Sequence, residues 1–218
     1  MAPELLVVPE VELDLEQLWT TPAACRPARL RRSTDAAPPR LATSIAVWFD
    51  DTCLTVLFSA TDDHVVATHL EHDAPLYEED VFEVFLAPQS LERYFEIEVS
   101  PLGTLFDAVI DSPDGVRSTM KADRGWTCEG LTAAVRKVTE SNGEQSIDTL
   151  VRIPFASLGR ERPARGELWR ANFFRIDRHP HYADEFSAWQ PTLRTPPDFH
   201  VASFFGALRF ETRGSSFA

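Results

Sequence analysis

The chain is short of cysteine, of basic residues and of long apolar runs. Its three cysteines, Cys25, Cys53 and Cys128, lie far apart. An odd, sparse set is neither a disulfide framework nor a set of paired zinc ligands, so reduced structural thiols are expected. The 21 Lys and Arg residues are outnumbered by 34 Asp and Glu, for a net charge of −13. Nucleic acid and anionic membrane surfaces both need clustered cations, so neither is an expected partner. No apolar stretch is long enough to span a bilayer. The opening residues, MAPELLVVPEVELDLE, show no basic n-region and no extended apolar h-region, so a cytoplasmic location is expected. GxSxG, HExxH and glycine-rich phosphate loops are missing, as are internal repeats and low-complexity segments.

What is present is a succession of short strand-like runs separated by turn residues. Their number, and the scarcity of helical periodicity, predict an all-β fold: an antiparallel, jelly-roll-like β-sandwich with little helix. A length of 218 residues suits one domain, with its core over residues 41–212. Residues 1–40 would add an N-terminal strand, LLVVPEVEL, and a loop rich in proline and arginine. Arginines 26, 29, 31 and 32 in that loop read as a solvated segment against an acidic body. TSIAVWFDDTCLTVLFSATDD reads as a hairpin turning at Asp50-Asp51, and DSPDG (111–115) as a turn. VVATHLEHDAPLY has room for one helical turn before Pro75.

The segment PLYEEDVFEVFLAP (75–88) sets Glu78, Glu79 and Asp80 against an apolar run that contains Glu83. Period-two alternation places Phe82, Val84 and Leu86 on one face and Glu83 on the other, with Val81 and Phe85. In YFEIEVS, Phe95, Ile97 and Val99 face the core, while Tyr94, Glu96, Glu98 and Ser100 face water or a ligand. Two readings stay open for Glu83 and Glu96. They pair with arginines across the sheet, or they belong to a polar floor with aromatic walls. The second combination suits sugars, whose C–H faces stack on rings and whose hydroxyls bond to carboxylates, amides and guanidinium groups.

Several stretches together resemble the family 9 carbohydrate-binding modules and their DOMON-like relatives. They are LYEEDVFEVFLAP, YFEIEVSPLGTLFDAVID, IPFASLG, WRANFFRID, FSAWQPT and FHVASFFGALRF, within residues 45–210. The resemblance implies two antiparallel sheets, a small saccharide as ligand, two aromatic walls around a terminal sugar, and calcium as a structural ion. By that likeness Trp189 is one wall and Tyr77 the other, where the sugar binders tend to use Trp. Glu79, Asp80, Glu98, Asn172 and Arg175 are the polar contacts, and Glu83 is nearer to structural. Each has a plain alternative: Trp189 as core, Asn172 holding a loop, Arg175 as the counter-ion of a buried acid. Trp48, Trp126 and Trp169 read as packing aromatics, and Trp19 as a cap on one end of the sandwich.

Three other chemistries compete. Paired carboxylates such as Glu79 and Glu98 would allow glycoside hydrolysis, but the expectation is a binder and not an enzyme. Haem binding, performed by some DOMON-like domains, wants a Met or His axial pair. Met120 is the only methionine after the first, and its neighbours are polar. Protein–protein contact is the third. For metals, His64, His69, His72, His179 and His181 match no zinc spacing. Asp50, Asp51, Asp62, Asp63, Asp111 and Asp114 offer hard oxygens for calcium without forming an EF-hand.

Overall fold

The computed structural model describes residues 4–14, 16–139 and 145–212. The strands are β1 (Leu5–Pro9), β2 (Ala28–Arg29), β3 (Arg31–Arg32), β4 (Thr43–Phe49), β5 (Cys53–Asp62), β6 (Val81–Ser90) and β7 (Arg93–Val99). They continue with β8 (Leu105–Asp111), β9 (Lys121–Asp123), β10 (Thr132–Thr139), β11 (Gln145–Pro154), β12 (Leu168–Asp177), β13 (Glu185–Ala188) and β14 (Gly206–Glu211). The larger sheet runs β1-β14-β12-β6-β7-β8-β9, with β13 beside the end of β12 and β3 beside β13. The smaller runs β10-β11-β5-β4-β2. Apart from β1, which lies parallel to β14, the ladders are antiparallel. This is the expected sandwich.

Alternation explains how the sheets meet. Phe82, Val84 and Leu86 of β6, Ile97 and Val99 of β7, and Phe173 of β12 point inward against Val56, Phe58 and Val151 of the smaller sheet. The opposite face of the larger sheet is not solvated. Val81, Phe85, Tyr94, Phe106, Ile110, Phe174 and Ile176 form a second core there with Phe199, Ala202 and Phe205. A third cluster, Leu18, Ala46, Trp48, Leu57 and Leu150, covers the outer face of the smaller sheet. Trp19 packs on that cluster and does not cap the end of the sandwich.

The β4–β5 hairpin turns where expected. Asp50 Oδ1 accepts from the backbone N–H groups of Thr52 (2.8 Å) and Cys53 (2.9 Å), which closes an Asx turn. Two expectations move. The arginine-rich stretch is not all loop. Ala28–Arg29 pairs with β4 and Arg31–Arg32 with β13, so it stitches one sheet to the other. Strands of two residues are too short to show alternation. The short helical turn, Leu76–Glu78, follows Pro75 and does not precede it.

Arg175 of β12 crosses the sandwich interior. Its Nη1 donates to the Thr61 carbonyl (2.8 Å) and Thr43 Oγ1 (3.1 Å) of the opposite sheet. Its Nη2 donates to Asp62 (2.7 Å) and Asp177 (3.2 Å), both buried. This is the plain alternative for Arg175, the counter-ion of buried acids, and its guanidinium lies between the sheets. Removing one partner of such a pair leaves uncompensated charge, which costs roughly 3–5 kcal/mol. Arg175→Ala should lose stability by about that much in urea unfolding, and a loss under 1 kcal/mol would contradict the bridging role.

Candidate functional site

The outer face of the larger sheet carries a cavity of about 720 Å³. Its floor is built by neighbouring strands. Glu83 comes from β6, Glu96 and Glu98 from β7, Phe106 and Ile110 from β8, and Ile176 from β12. Its walls come from three connections: Tyr77 in the turn before β6, the segment 117–124 around β9, and the segment 194–200 after β13. That last segment is held down by Phe199, whose ring stacks on Phe174 at 4.2 Å, and by His200. His200 Nδ1 is hydrogen-bonded to the Tyr94 hydroxyl at 2.9 Å.

The floor is acidic. Glu83 and Glu98 stand directly opposite one another across β6–β7, and Glu96 lies two residues from Glu98 on the same face. All three are buried. Burial is the main reason each titrates above its ordinary range. For Glu83 the Glu96 charge adds to it, and for Glu98 the charges of both neighbours do. Glu96 is pushed up to about 7, against the pull of Arg117 and Arg124. His200 approaches Glu96 to 3.5 Å but does not neutralise it, because burial drives the imidazole down to about 3 and keeps it uncharged.

The rim is basic. Arg117, Arg124, Arg178 and Arg194 line the cavity. Arg117 is tied to Asp198 (2.8 Å), and Arg178 to Asp184 and to the Tyr77 carbonyl (2.8 Å). Arg124 lies over the Phe106 ring, 5.7 Å from its centroid.

Of the residues expected from sequence, Tyr77 and Glu98 line this cavity. The others do not, and each has a local reason. Trp189 is 2% exposed and packs inside the sandwich, its ring 5.6 Å from that of Phe173. The Asn172 amide turns the chain there: its Nδ2 donates to the Gln190 carbonyl (2.8 Å), and its Oδ1 accepts from the Gln190 N–H (2.9 Å). Asn172 is thus a buried loop clamp. Asp80 is buried and accepts backbone N–H bonds from Val66 (2.7 Å) and Arg178 (2.6 Å). Glu79 accepts from the hydroxyl and N–H of Thr68 and from His69. Glu83, expected to be nearer to structural, lies on the cavity floor with no arginine opposite it.

Sequence reasoning missed His200, Arg117, Arg124, Arg178 and Phe186. They sit on connections and strand ends, where alternation carries no signal. Met120, expected in a polar setting, lines the cavity with its Sδ 3.7 Å from the Tyr94 hydroxyl.

The calcium oxygens named from sequence are already engaged. Asp50, Asp62, Asp63 and Asp111 each pair with an arginine, Asp51 pairs with Arg162, and Asp114 holds Thr119 and the Val116 N–H. Of these six, only Asp62 lies in a tight acidic group, with Asp80 and Asp177.

A sequence profile described as carbohydrate-binding family 9 matches residues 34–210. A search of curated proteins returns no match. Among solved structures, a candidate carbohydrate-binding protein from Bacteroides uniformis superposes with a TM-score of 0.78 at 18% identity, covering 96% of this chain and 100% of that one. A family 9 carbohydrate-binding module from Caldicellulosiruptor kristjanssonii, solved with cellotriose, gives 0.67 at 12% identity, covering 99% and 97%. The same organism's module with glucose gives 0.65 at 11% identity, covering 98% of each chain. At these identities the likeness shows the sandwich fold.

Two predictions follow from the geometry. A Cβ at Gly206 would lie 2.4 Å from the Trp189 ring, so the indole rests on bare backbone. Gly206→Ala should cost about 1–3 kcal/mol and Trp189→Ala about 3–5 kcal/mol in urea unfolding; wild-type stability in both would refute the packing role. The second concerns Glu96, which is faced by Glu98, His200, Arg117 and Arg124. The unfolded chain gives up this proton near 4.5, while the folded one holds it to about 7. With chelator present, wild type should therefore lose stability relative to Glu96→Gln as pH rises through that window. The gap should reach about 3 kcal/mol above it and vanish below pH 4.5. A pH-independent difference would be the contrary result.

Proposed function

Carbohydrate-binding family 9 is the family to which this chain belongs, and from that premise we propose that it holds a small saccharide in the cavity of the larger sheet without cleaving it. One observation carries the reading. A concave site of about 720 Å³ sets the half-exposed Tyr77 ring beside buried carboxylates and a guanidinium rim. Pockets of this size suit small ligands, with rings for the apolar faces and a few fixed polar groups for orientation. Phe186 lines the same cavity and is the candidate for the second wall in place of Trp189. The cellotriose and glucose complexes of the same fold support a saccharide as the ligand class.

The pair considered from sequence for two-carboxylate cleavage, Glu79 with Glu98, is not assembled, since Glu79 is outside the cavity. Haem is disfavoured by His200, whose two ring nitrogens face Tyr94 and Glu96.

Calorimetric titration with glucose, cellobiose and a panel of mono- and disaccharides tests the proposal. Binding should be modest, since one or two ring faces and a few hydrogen bonds offset little beyond the ordering cost. Tyr77→Ala should weaken it about tenfold, equivalent to about 1.4 kcal/mol, and Glu79→Gln should leave it unchanged. If no saccharide in the panel gives saturable heat, the proposal fails.

A further inference from the structure

We propose that Glu83, Glu96 and Glu98 form the oxygen cradle of a hard divalent cation on the cavity floor. One oxygen from each lies within 4.8 Å of the others. Two oxygens on a single Ca²⁺, each at roughly 2.3–2.6 Å, stand no more than about 5 Å apart, so this spacing suits one shared ion with at most a few tenths of an ångström of closure.

The second observation is Glu98 itself. It is 1% exposed, and its Oε2 accepts no hydrogen bond from any described residue. An unpaired carboxylate oxygen at that depth is costly. It also has no counter-charge in contact: among the described residues, no Lys or Arg pairs with any of the three acids within 4.0 Å, and Arg117 and Arg124 act on them only from farther off. The nearest ring nitrogen, His200 Nε2, stands 3.5 Å from Glu96.

The chain supplies its own comparison. Asp62, Asp80 and Asp177 form a buried trio just as tight. That trio is neutralised from within. Arg175 bonds to Asp62 and Asp177, and two backbone N–H groups satisfy Asp80. The same packing of three acids therefore comes with a protein cation in contact in one place and only at a distance in the other.

Donor type sets the class of ion. Three carboxylates with no sulfur or available imidazole select Ca²⁺, Mn²⁺ or Mg²⁺ over Zn²⁺ or Cu²⁺. All three ligands stand on adjacent strands, β6 and β7, so the cradle is rigid. Its remaining coordination positions face the cavity. The inference goes beyond the saccharide reading and does not depend on it.

The test uses the full chain, stripped with chelator and titrated with CaCl₂ and separately with MnCl₂, with no sugar present. One saturable site is expected, with a rise in melting temperature that grows with ion concentration. Glu83→Gln and Glu98→Gln should each weaken it at least tenfold, while the stripped variants stay as stable as wild type or become more so. Glu79→Gln should bind as wild type does. No saturable binding at millimolar ion, or binding that survives both cradle substitutions, overturns the proposal. If a variant fails to fold, Mn²⁺ added to isotope-labelled wild type decides. Resonance broadening centred on β6 and β7 supports the site, and broadening centred elsewhere overturns it. A saccharide titration run in chelator reads the sugar proposal separately, so the two failures are distinguishable.

Discussion

The Arg175 guanidinium is the interaction on which the arrangement of the two sheets depends. It reaches from β12 to Thr43, Thr61 and Asp62 on the opposite sheet, and so fixes where the larger sheet lies over the smaller. Because β12 alternates, fixing Arg175 inward fixes Phe174 and Ile176 outward. Those two side chains help form the outer core that carries the cavity. A buried ion pair in the sandwich interior thus determines what the far side of the same strand presents.

Two kinds of buried acid result, and the contrast between them is the main electrostatic feature of the molecule. Inside the sandwich the acids meet a guanidinium and backbone N–H groups. On the cavity floor they meet one another. Cross-strand opposition of like charges is ordinarily destabilising, and Glu83 facing Glu98 is such a case. Structural need alone does not account for that placement. A β-sheet filled for packing would put an apolar or oppositely charged residue at one of these positions.

Much of the fold was legible in the sequence, because period-two alternation is a strong signal in strands of seven to ten residues such as β5, β6, β7 and β12. It placed Glu96 and Glu98 on the outward face correctly, and the Asp50 turn announced its hairpin. It could not reveal β2 and β3, which are two residues long. The site was legible only in part. Trp189 reads as a sugar wall through the likeness of FSAWQPT, yet exposure depends on how Asn172 orients the following backbone. Alternation had already set Glu83 on that same face, and only the family likeness put it nearer to structural. The arginines and His200 come from segments distant in sequence that only the tertiary fold brings over the sheet.

The roof over the cavity has little structure of its own. Between β13 and β14, among the described residues, the chain forms no strand, only a short turn at Ala202–Phe204. Phe199 and His200 are its main anchors to the sheet. Substitutions at residues 194–198 would reshape the mouth of the cavity while leaving the inter-sheet packing intact. Ligand preference and folding stability are thereby assigned to different parts of the chain, and selection can adjust one without disturbing the other.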